Sequence, residues 1–378
     1  MNESATEPLV AQGGTRENLS IVIPTFREAD NVPLILNRID EVRRTHGLTL
    51  EVLFMDDDSR DGSVEAVERS GFDWARIIVR TQDRGLSPAV LDGFRAAQYP
   101  ILICMDCDLS HPPETIPQMV TALNAGKQFV IGSRYVDGGS VDDGWGPFRW
   151  LNSFVATTLA RPLTSVKDPL SGFFALRKKD FDKAEDLNPV GYKIGLELIV
   201  KCGFDDIGEV PIRFKDRVHG ISKLTLKEQL KYIQHLRRLY IYKFGDPMHL
   251  LQFMTVGASG VVINLAVLTL LLLAGLPEAI ALAGGIGTSL ITNFLLNRRF
   301  SFSYARGDNI WKQLFGFTSA SATGAVVNYA VALYLRSAVL PDTSYAVHLA
   351  ALIGIACGTG FNFIGNRYFV FKKRYVGR

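Results

Sequence analysis

The sequence predicts two domains of different class: an α/β domain built on a mostly parallel sheet, and an all-α domain of four transmembrane helices. Three observations predict this division. Short apolar runs alternate with amphipathic stretches in the first two thirds of the chain. Four long stretches without charged residues fill the last third. Residues 249–378 hold ten Lys or Arg and three Asp or Glu, whereas residues 1–248 hold 31 and 35.

The composition excludes several classes of protein. With 47% hydrophobic residues and a mean hydropathy of +0.13, the chain of 378 residues is too apolar to be disordered. Four scattered cysteines are too few for a disulfide framework and indicate a reducing compartment. Cys104 and Cys107 form a C-x-x-C within an apolar run, but no second pair completes a zinc site. Residues 1–17 are polar and lack a signal peptide, so we expect a disordered tail.

The α/β elements begin with an apolar run at 19–24, which predicts a strand, and a helical pattern at 31–44. Three further strand and helix pairs follow, at 50–55 and 61–70, at 77–80 and 87–97, and at 101–105 and 114–125. Strands that alternate with helices in this way form a parallel sheet covered on both faces. Ligands bind such a sheet at the carboxyl ends of its strands.

Polar side chains collect at these strand ends. After the fourth strand, Asp106 and Asp108 point to the same face if the strand is still extended, because side chains alternate. Two such carboxylates repel each other unless a cation lies between them, which predicts a Mg²⁺ or Mn²⁺ site. For the Asp-x-Asp tripeptide alone, a solvated strand end or a helix cap is the simpler interpretation.

After the second strand the chain reads Asp-Asp-Asp-Ser at 56–59. Asp58 and Ser59 are interpreted equally well as a cap of the following helix or as part of a site. We expect at least one of Asp56 and Asp57 to accept a hydrogen bond from a ligand.

Two amphipathic segments, 145–163 and 224–247, carry aromatic or aliphatic side chains together with cations. This pattern fits the headgroup layer of a membrane, where apolar side chains enter the bilayer and cations meet anionic lipid. The alternative is that these helices pack on the core of the protein itself.

The predicted transmembrane helices lie at about 250–275, 279–297, 313–335 and 343–366. Cations collect between the second and third spans and after the fourth, so the positive-inside rule places both ends of the chain, and the α/β domain, in the cytoplasm. A two-helix unit occurs twice. Residues 260–264 (Gly-Val-Val-Ile-Asn) recur at 324–328 (Gly-Ala-Val-Val-Asn), and 297–302 (Asn-Arg-Arg-Phe-Ser-Phe) recur at 366–371 (Asn-Arg-Tyr-Phe-Val-Phe).

Six motifs, in this order, resemble those of inverting glycosyltransferases of family 2, and most closely the dolichol-phosphate mannose synthases. They lie at 23–28 (Ile-Pro-Thr-Phe-Arg-Glu), 55–59 (Met-Asp-Asp-Asp-Ser), 105–108 (Met-Asp-Cys-Asp), 132–135 (Gly-Ser-Arg-Tyr), 168–173 (Asp-Pro-Leu-Ser-Gly-Phe) and 217–224, where Arg217, Gly220, Ser222, Lys223 and Leu224 match. The resemblance implies a Rossmann-like GT-A fold for residues 18–223. Residues 248–378 resemble the GtrA-like four-helix membrane domain of some such enzymes.

The resemblance also implies roles for individual residues. Those implied to bind the nucleotide sugar are Pro24, Phe26, Glu28, Met55, Asp57, Asp106, Cys107, Asp108, Ser110, Arg134, Lys193, Arg217 and Lys223. The metal is implied to lie on Asp106 and Asp108, with Ser110 where many relatives have glutamine. The acceptor phosphate is implied to contact Arg134, Arg149 and Ser153. The catalytic set would be Asp106, Asp108, Arg134, Arg149, Arg217 and Lys223.

The activity implied is transfer of mannose from GDP-mannose to dolichyl or another polyprenyl phosphate, with inversion, giving a β-linked lipid-phosphate mannose and GDP. A polyprenyl phosphate is already anionic, so the reaction needs charge neutralisation rather than a strong base. Asp168 is expected to orient the acceptor or a basic side chain. Membrane lipids are further expected partners, and neither nucleic acid nor an obligate protein partner is expected.

Three alternatives stay open. A sister enzyme would use UDP-glucose as the donor. A protein of another class would be a flippase for lipid-linked sugars, with a regulatory α/β domain. A processive polysaccharide synthase is disfavoured because no Gln-x-x-Arg-Trp motif is present.

Overall fold

The computed structural model describes residues 18–141, 146–188, 190–214, 226–341 and 346–372. The chain divides into two compact units, one ending at Lys243 and the other beginning at Phe244.

The first unit is built on a seven-stranded sheet with the strand order β3-β2-β1-β4-β7-β5-β8. Strand β7 is antiparallel to both of its neighbours, and every other pairing in the sheet is parallel. A short parallel pair, β6 and β9, lies apart from this sheet. The strands are β1 (Leu19–Thr25), β2 (Leu50–Asp56), β3 (Ala75–Val79), β4 (Ile101–Cys104), β5 (Phe129–Ser133), β6 (Ser140–Val141), β7 (Phe174–Arg177), β8 (Ile207–Pro211) and β9 (Arg213–Phe214).

Helices cover both faces of the sheet, as the sequence predicts. Alternate residues of one strand belong to different cores: Ile21 packs in one core with helices α1 and α4, and Val22 in the other with α3 and α7. The helices of this unit are α1 (Val32–His46), α2 (Ser63–Arg69), α3 (Leu86–Ala96), α4 (Ile116–Asn124), α5 (Pro147–Ala160), α6 (Lys178–Phe181), α7 (Ile194–Lys201) and α8 (Leu226–Phe244).

Two expectations about the strand ends are not met: one was conditional on an extended strand after β4, and the other was one of two open interpretations of Asp58 and Ser59. Strand β4 ends at Cys104 and residues 107–109 form a bend, so Asp106 and Asp108 lie beyond the extended strand and side-chain alternation does not relate them. Leu109, at the end of this bend, is in the left-handed region at φ 64°. Helix α2 begins at Ser63, and Asp61 Oδ1 accepts the Ser63 backbone N–H at 3.1 Å. Asp58 and Ser59 therefore do not cap that helix.

The amphipathic segments form helices α5 and α8, which pack together. Ala160 and Leu163 share a small core with Leu236 and Leu239, and the Tyr232 hydroxyl donates to the carbonyl oxygen of Ala156 at 2.7 Å. The opposite side of α5 is exposed and apolar; its large side chains are Trp150, Leu151, Phe154, Val155 and Leu159. One face of α5 thus packs on the protein itself, and the other has the composition expected of a membrane-facing surface.

In its described residues, the second unit contains four long helices, which lie near the four stretches predicted from the sequence. They are α9 (Asp246–Leu273), α10 (Glu278–Leu296), α11 (Ile310–Tyr334) and α12 (Ala346–Ile364). In the described residues, two segments meet the length and hydropathy of a membrane span: Asp246–Leu273, with mean hydropathy 2.3, and Ala279–Ser301, with 1.7.

Candidate functional site

The candidate site lies at the carboxyl ends of β1, β2 and β4, where the sequence places it. Asp106 follows β4, and its backbone N–H donates to Nδ1 of the buried His111 at 2.9 Å. Because Nδ1 accepts this bond, the ring proton of neutral His111 lies on Nε2. His111 Nδ1, which carries no proton, lies 3.9 Å from Asp106 Oδ2, so the two side chains do not form an ion pair. His111 acts by fixing the backbone of Asp106.

Asp108 is held from within its own loop. Its carboxyl Oδ1 accepts the Ser110 backbone N–H at 3.2 Å and the Ser110 hydroxyl at 2.6 Å, and the residue is only 4% exposed. The Ser110 hydroxyl therefore orients Asp108.

Several carboxylates converge on the buried Cys107 between the two aspartates. Burial raises the pKa of the Cys107 thiol well above its usual value, and the nearby charges of Glu28, Asp108 and Asp106 raise it further. Burial, followed by the charge of Asp106, does the same for Cys104. Both cysteines are neutral thiols, and the described residues contain no group of three or more Asp, Glu, His or Cys side chains able to hold a metal ion.

The loop that precedes β7 lies against Asp106. A Cβ atom placed on Gly172 would lie 3.7 Å from both carboxyl oxygens of Asp106 and 3.3 Å from Cε1 of His111. The Ser171 hydroxyl fixes this loop by donating to the carbonyl oxygen of Gly132 at 2.8 Å. The motif at 168–173 is thus brought to the carboxylate pair from a distant part of the sequence.

Asp168 and Arg134 form a buried ion pair at the other end of this loop. Arg134 Nε and Nη2 donate to the two carboxyl oxygens at 2.8 Å each, and the Arg134 backbone N–H adds a third bond at 3.0 Å. Asp168 is 0% exposed. Burial alone would lower the pKa of Arg134, but the hydrogen bonds and charge of Asp168 outweigh it, and the pKa is raised. Asp168 therefore orients a basic side chain, one of its two expected roles.

Aromatic rings enclose the same guanidinium. Arg134 Cζ lies 5.2 Å from the centroid of the Tyr135 ring and 5.3 Å from that of Phe214. The rings and Asp168 together fix the direction of the side chain.

Lys193 lies beside this pair, immediately before α7. Its Nζ donates to the carbonyl oxygen of Leu170 at 3.1 Å. Burial, followed by the charge of Arg134, lowers the pKa of Lys193 to about 8, against the opposing effects of Asp168 and Asp106. Helix α7 is fixed in turn by a buried contact of 2.8 Å between Glu197 Oε2 and His235 Nε2 of α8.

Helix α5 brings two of the predicted acceptor residues to the same neighbourhood. Arg149 and Ser153 are four residues apart and share one face of the helix. The Ser153 hydroxyl lies 2.8 Å from the Tyr135 hydroxyl, next to Arg134 in sequence. The face of α5 that carries Arg149 therefore adjoins the loop that carries Arg134.

The ends of β1 and β2 border an open cavity of about 480 Å³. Phe26, 41% exposed, lies at its wall, whereas Met55 is buried. Asp57 carries an ion pair with the buried Arg80 and accepts the Gly85 backbone N–H at 2.6 Å. Asp56 instead holds its own turn, because it accepts bonds from the backbone N–H and the hydroxyl of Ser59.

Sequence reasoning missed the basic lining of this cavity, formed by Arg27, Arg60 and Arg84. Each of these arginines follows one of three adjacent strands, so a cation shortly after each predicted strand is the sequence signal that could have identified them. His111 was also missed, although it stands close behind the Asp-x-Asp tripeptide. Arg217 and Lys223, with the rest of the motif at 217–224, lie outside the described residues, as does residue 145 at the beginning of the first amphipathic segment.

Two family models match the chain. Glycosyl transferase family 2 matches residues 20–184, and the GtrA/DPMS transmembrane domain matches residues 252–371. A dolichol-phosphate mannosyltransferase of Pyrococcus furiosus is 37% identical over 357 residues, which are 93% of this chain and 98% of that protein.

Two further relatives match only part of the chain. A dolichol-phosphate mannosyltransferase of Mycosarcoma maydis is 45% identical and covers 60% of this chain and 80% of its own. A polyprenol monophosphomannose synthase of Mycolicibacterium smegmatis is 34% identical over a match that covers 54% of this chain and 80% of that protein.

Proposed function

We propose that this chain transfers mannose from GDP-mannose to dolichyl or another polyprenyl phosphate. It belongs to glycosyltransferase family 2 and is a membrane protein with the GtrA/DPMS transmembrane domain. The observation that carries this proposal is the cluster of Asp106, Arg134, Asp168 and Lys193 at the sheet edge. A relative that matches along nearly its whole length and is named for this activity supports it.

The cations of the cluster suit a reaction between two anions. Arg134 is held by Asp168 in one direction, so little side-chain freedom is left for it to lose on binding a phosphate. Lys193, with a pKa of about 8, is mostly protonated at neutral pH, and a phosphate beside it would raise that pKa further. We propose that both side chains, with Arg217 and Lys223, contact the diphosphate of the donor.

The carboxylate pair fits a Mg²⁺ or Mn²⁺ ion. Asp106 and Asp108 supply hard oxygen ligands, and Ser110 and His111 hold them in place. Asp106 and Asp108 would supply two of the ligands, and water and the donor would take other positions. When bound, such an ion neutralises charge on the diphosphate leaving group. Ser110 serves as a positioning residue in this proposal.

The nucleoside is proposed to bind at the cavity bordered by Phe26, with Pro24, Glu28, Met55 and Asp57 around it. The exposed Phe26 ring offers a stacking surface for a base. The oxygens of Asp57 already accept bonds from Arg80 and Gly85, yet each keeps a second acceptor direction. Asp57 is thus rigid and still able to accept a bond from the nucleoside.

The acceptor phosphate is proposed to bind Arg149, Ser153 and Arg134, with the exposed apolar face of α5 in the headgroup layer of the cytoplasmic side of the cell membrane. A phosphate oxygen attacks the anomeric carbon, and the bond from that carbon to the donor diphosphate breaks. This single displacement inverts the configuration. No side chain is required to remove a proton, because the attacking oxygen is already charged.

The test is a transfer assay with the purified full-length protein. GDP-mannose and UDP-glucose are each offered with a short and a long polyprenyl phosphate, and the lipid product and its anomeric configuration are determined. We expect β-linked mannose on the lipid. Glucose transfer without mannose transfer would overturn the choice of donor. Lipid-linked mannose formed at an undiminished rate by Asp108→Ala would overturn the assignment of the metal site to Asp106 and Asp108.

A further inference from the structure

The second unit contains an internal pseudo-twofold axis. By the sequence repeat, Phe253 corresponds to Phe317, Phe294 to Phe363, and Phe302 to Phe371. All six rings form one buried aromatic cluster.

The distances within this cluster obey the symmetry. The rings of Phe253 and Phe363 are 5.8 Å apart, and those of their counterparts Phe317 and Phe294 are 5.7 Å apart. Phe302 lies 6.2 Å from Phe363, and its counterpart Phe371 lies 6.3 Å from Phe294. Phe302 and Phe371 are equivalent under the twofold axis, and their rings stack with centroids 4.8 Å apart. The axis therefore passes through this stacked pair, and each residue of one repeat has a counterpart in the other to serve as a control.

The repeated arginines show where the symmetry is broken. The equivalent residues Arg298 and Arg367 each lie in a π-helical turn. Each donates a hydrogen bond to a residue near the beginning of the first helix of the other repeat. Arg367 Nε donates to the carboxylate of Asp246 at 2.8 Å, in α9. Arg298 Nε donates to the neutral amide oxygen of Gln313 at 2.8 Å, in α11. The residue that corresponds to Asp246 is Ile310, so the carboxylate is missing on this side.

The remaining contacts of Arg298 are also neutral. Its Nη2 donates to the carbonyl oxygens of Arg306 at 2.5 Å and Asp308 at 3.2 Å. Arg306 in turn donates to the carbonyl oxygen of Arg299. Among the residues that the structure describes, none of these three arginines forms an ion pair with a carboxylate, whereas Arg367 does. Asp308 is the one acidic residue in the sequence from 297 to 313, against Lys312 and the three arginines.

We propose that Arg298, Arg299 and Arg306 bind the phosphate of an anionic membrane phospholipid. A guanidinium held by neutral carbonyl oxygens retains its full charge, and a phosphate would supply the counter-ion that Asp246 gives to Arg367. Exposed aromatic side chains favour a lipid over free phosphate. Phe300, next to Arg299 in the sequence, and Trp311, next to Lys312, are 46% and 74% exposed, and aromatic residues are enriched at the headgroup level of a bilayer. The residues of this site belong to the second unit, and none of them is part of the proposed sugar-transfer site.

The test uses the full-length protein in nonionic detergent. Phosphatidylglycerol or phosphatidylcholine is titrated, and bound lipid is counted by native mass spectrometry. Phosphatidylglycerol should bind in preference, and Arg298→Gln should weaken it about tenfold, as expected for the loss of a charge-assisted hydrogen bond. Ile310→Asp keeps Arg298 but supplies an internal carboxylate, so it should weaken binding similarly. Ile310→Asn, of the same shape without the charge, and Arg367→Gln, which alters the neutralised arginine, should bind like the wild type.

Three results would overturn the proposal. One is that Arg298→Gln, shown to be folded by its elution profile and thermal unfolding, binds phosphatidylglycerol like the wild type. The second is that Ile310→Asp and Ile310→Asn behave alike. The third is that millimolar inorganic phosphate displaces the phospholipid, which would assign the site to a soluble anion.

Discussion

The substitution Asp168→Asn tests the buried pair that orients Arg134. Asp168 is fully buried, and the Arg134 side chain is 11% exposed, so the pair is shielded from solvent. An asparagine keeps an acceptor for the Arg134 backbone N–H but turns an amide NH₂ toward the guanidinium. Breaking a buried ion pair by removing one partner costs roughly 3–5 kcal/mol of unfolding free energy.

At the lower end of that range, the unfolding midpoint of a domain of this size falls by roughly 6–12 °C. The catalytic efficiency with the sugar nucleotide should fall at least about 100-fold, because Arg134 is no longer held in place. Thermal unfolding of the full-length protein in detergent, together with kcat/KM for both substrates, measures the two effects.

The matched control is Asp92→Asn. Asp92 also bonds to arginines, Arg80 and Arg95, but it is 42% exposed, so its loss should change the stability by no more than about 1 kcal/mol. The double variant Arg134→Met/Asp168→Asn removes the uncompensated cation and should regain much of the stability without the activity. An unfolding midpoint and kcat/KM of Asp168→Asn equal to those of Asp92→Asn would refute the reasoning.

Three further predictions concern the same cleft. Lys193 has a pKa of about 8, so kcat/KM for the sugar nucleotide should fall as the pH rises through that value and the lysine loses its charge. In Lys193→Arg the fall should occur at higher pH. A pH profile of Lys193→Arg equal to that of the wild type would contradict this prediction. Tyr135→Phe removes the hydroxyl contact with Ser153 and should raise KM for the lipid phosphate about 2- to 10-fold while leaving KM for the donor unchanged; the reverse pattern would place Tyr135 at the donor. Ser110→Ala frees the Asp108 carboxylate and should raise the metal concentration for half-maximal activity about tenfold, which a metal titration of the transfer rate checks.

The alternation of strands and helices was predictable from sequence because it depends on local hydrophobic period. Consecutive apolar residues, at 21–23 in β1 and throughout β4, indicate strands buried on both faces, and the structure places them in two cores. The antiparallel insertion of β7 between β4 and β5 has no such local signal, because it depends on which edges are left to pair.

The site was predictable in its location but not in its internal contacts. The pairing of Asp57 with Arg80, and of Arg134 with Asp168, joins residues far apart in sequence, so no periodicity reveals it. The bend after β4 places Leu109 in a left-handed backbone conformation that leucine rarely adopts, against what its identity indicates. Strand β4 ends at Cys104, two residues before Asp106, so the condition under which Asp106 and Asp108 would share one face of a strand is not met.

If Asp106 and Asp108 hold the metal, Mn²⁺ binding depends on both carboxylates. Electron paramagnetic resonance of Mn²⁺ titrated into the full-length protein with GDP present counts the bound ions for the wild type, Asp106→Asn, Asp108→Asn and the surface control Asp92→Asn. One GDP-dependent ion per chain is expected in the wild type and in Asp92→Asn, and none in the other two variants. Unchanged binding in both Asp106→Asn and Asp108→Asn would contradict the account.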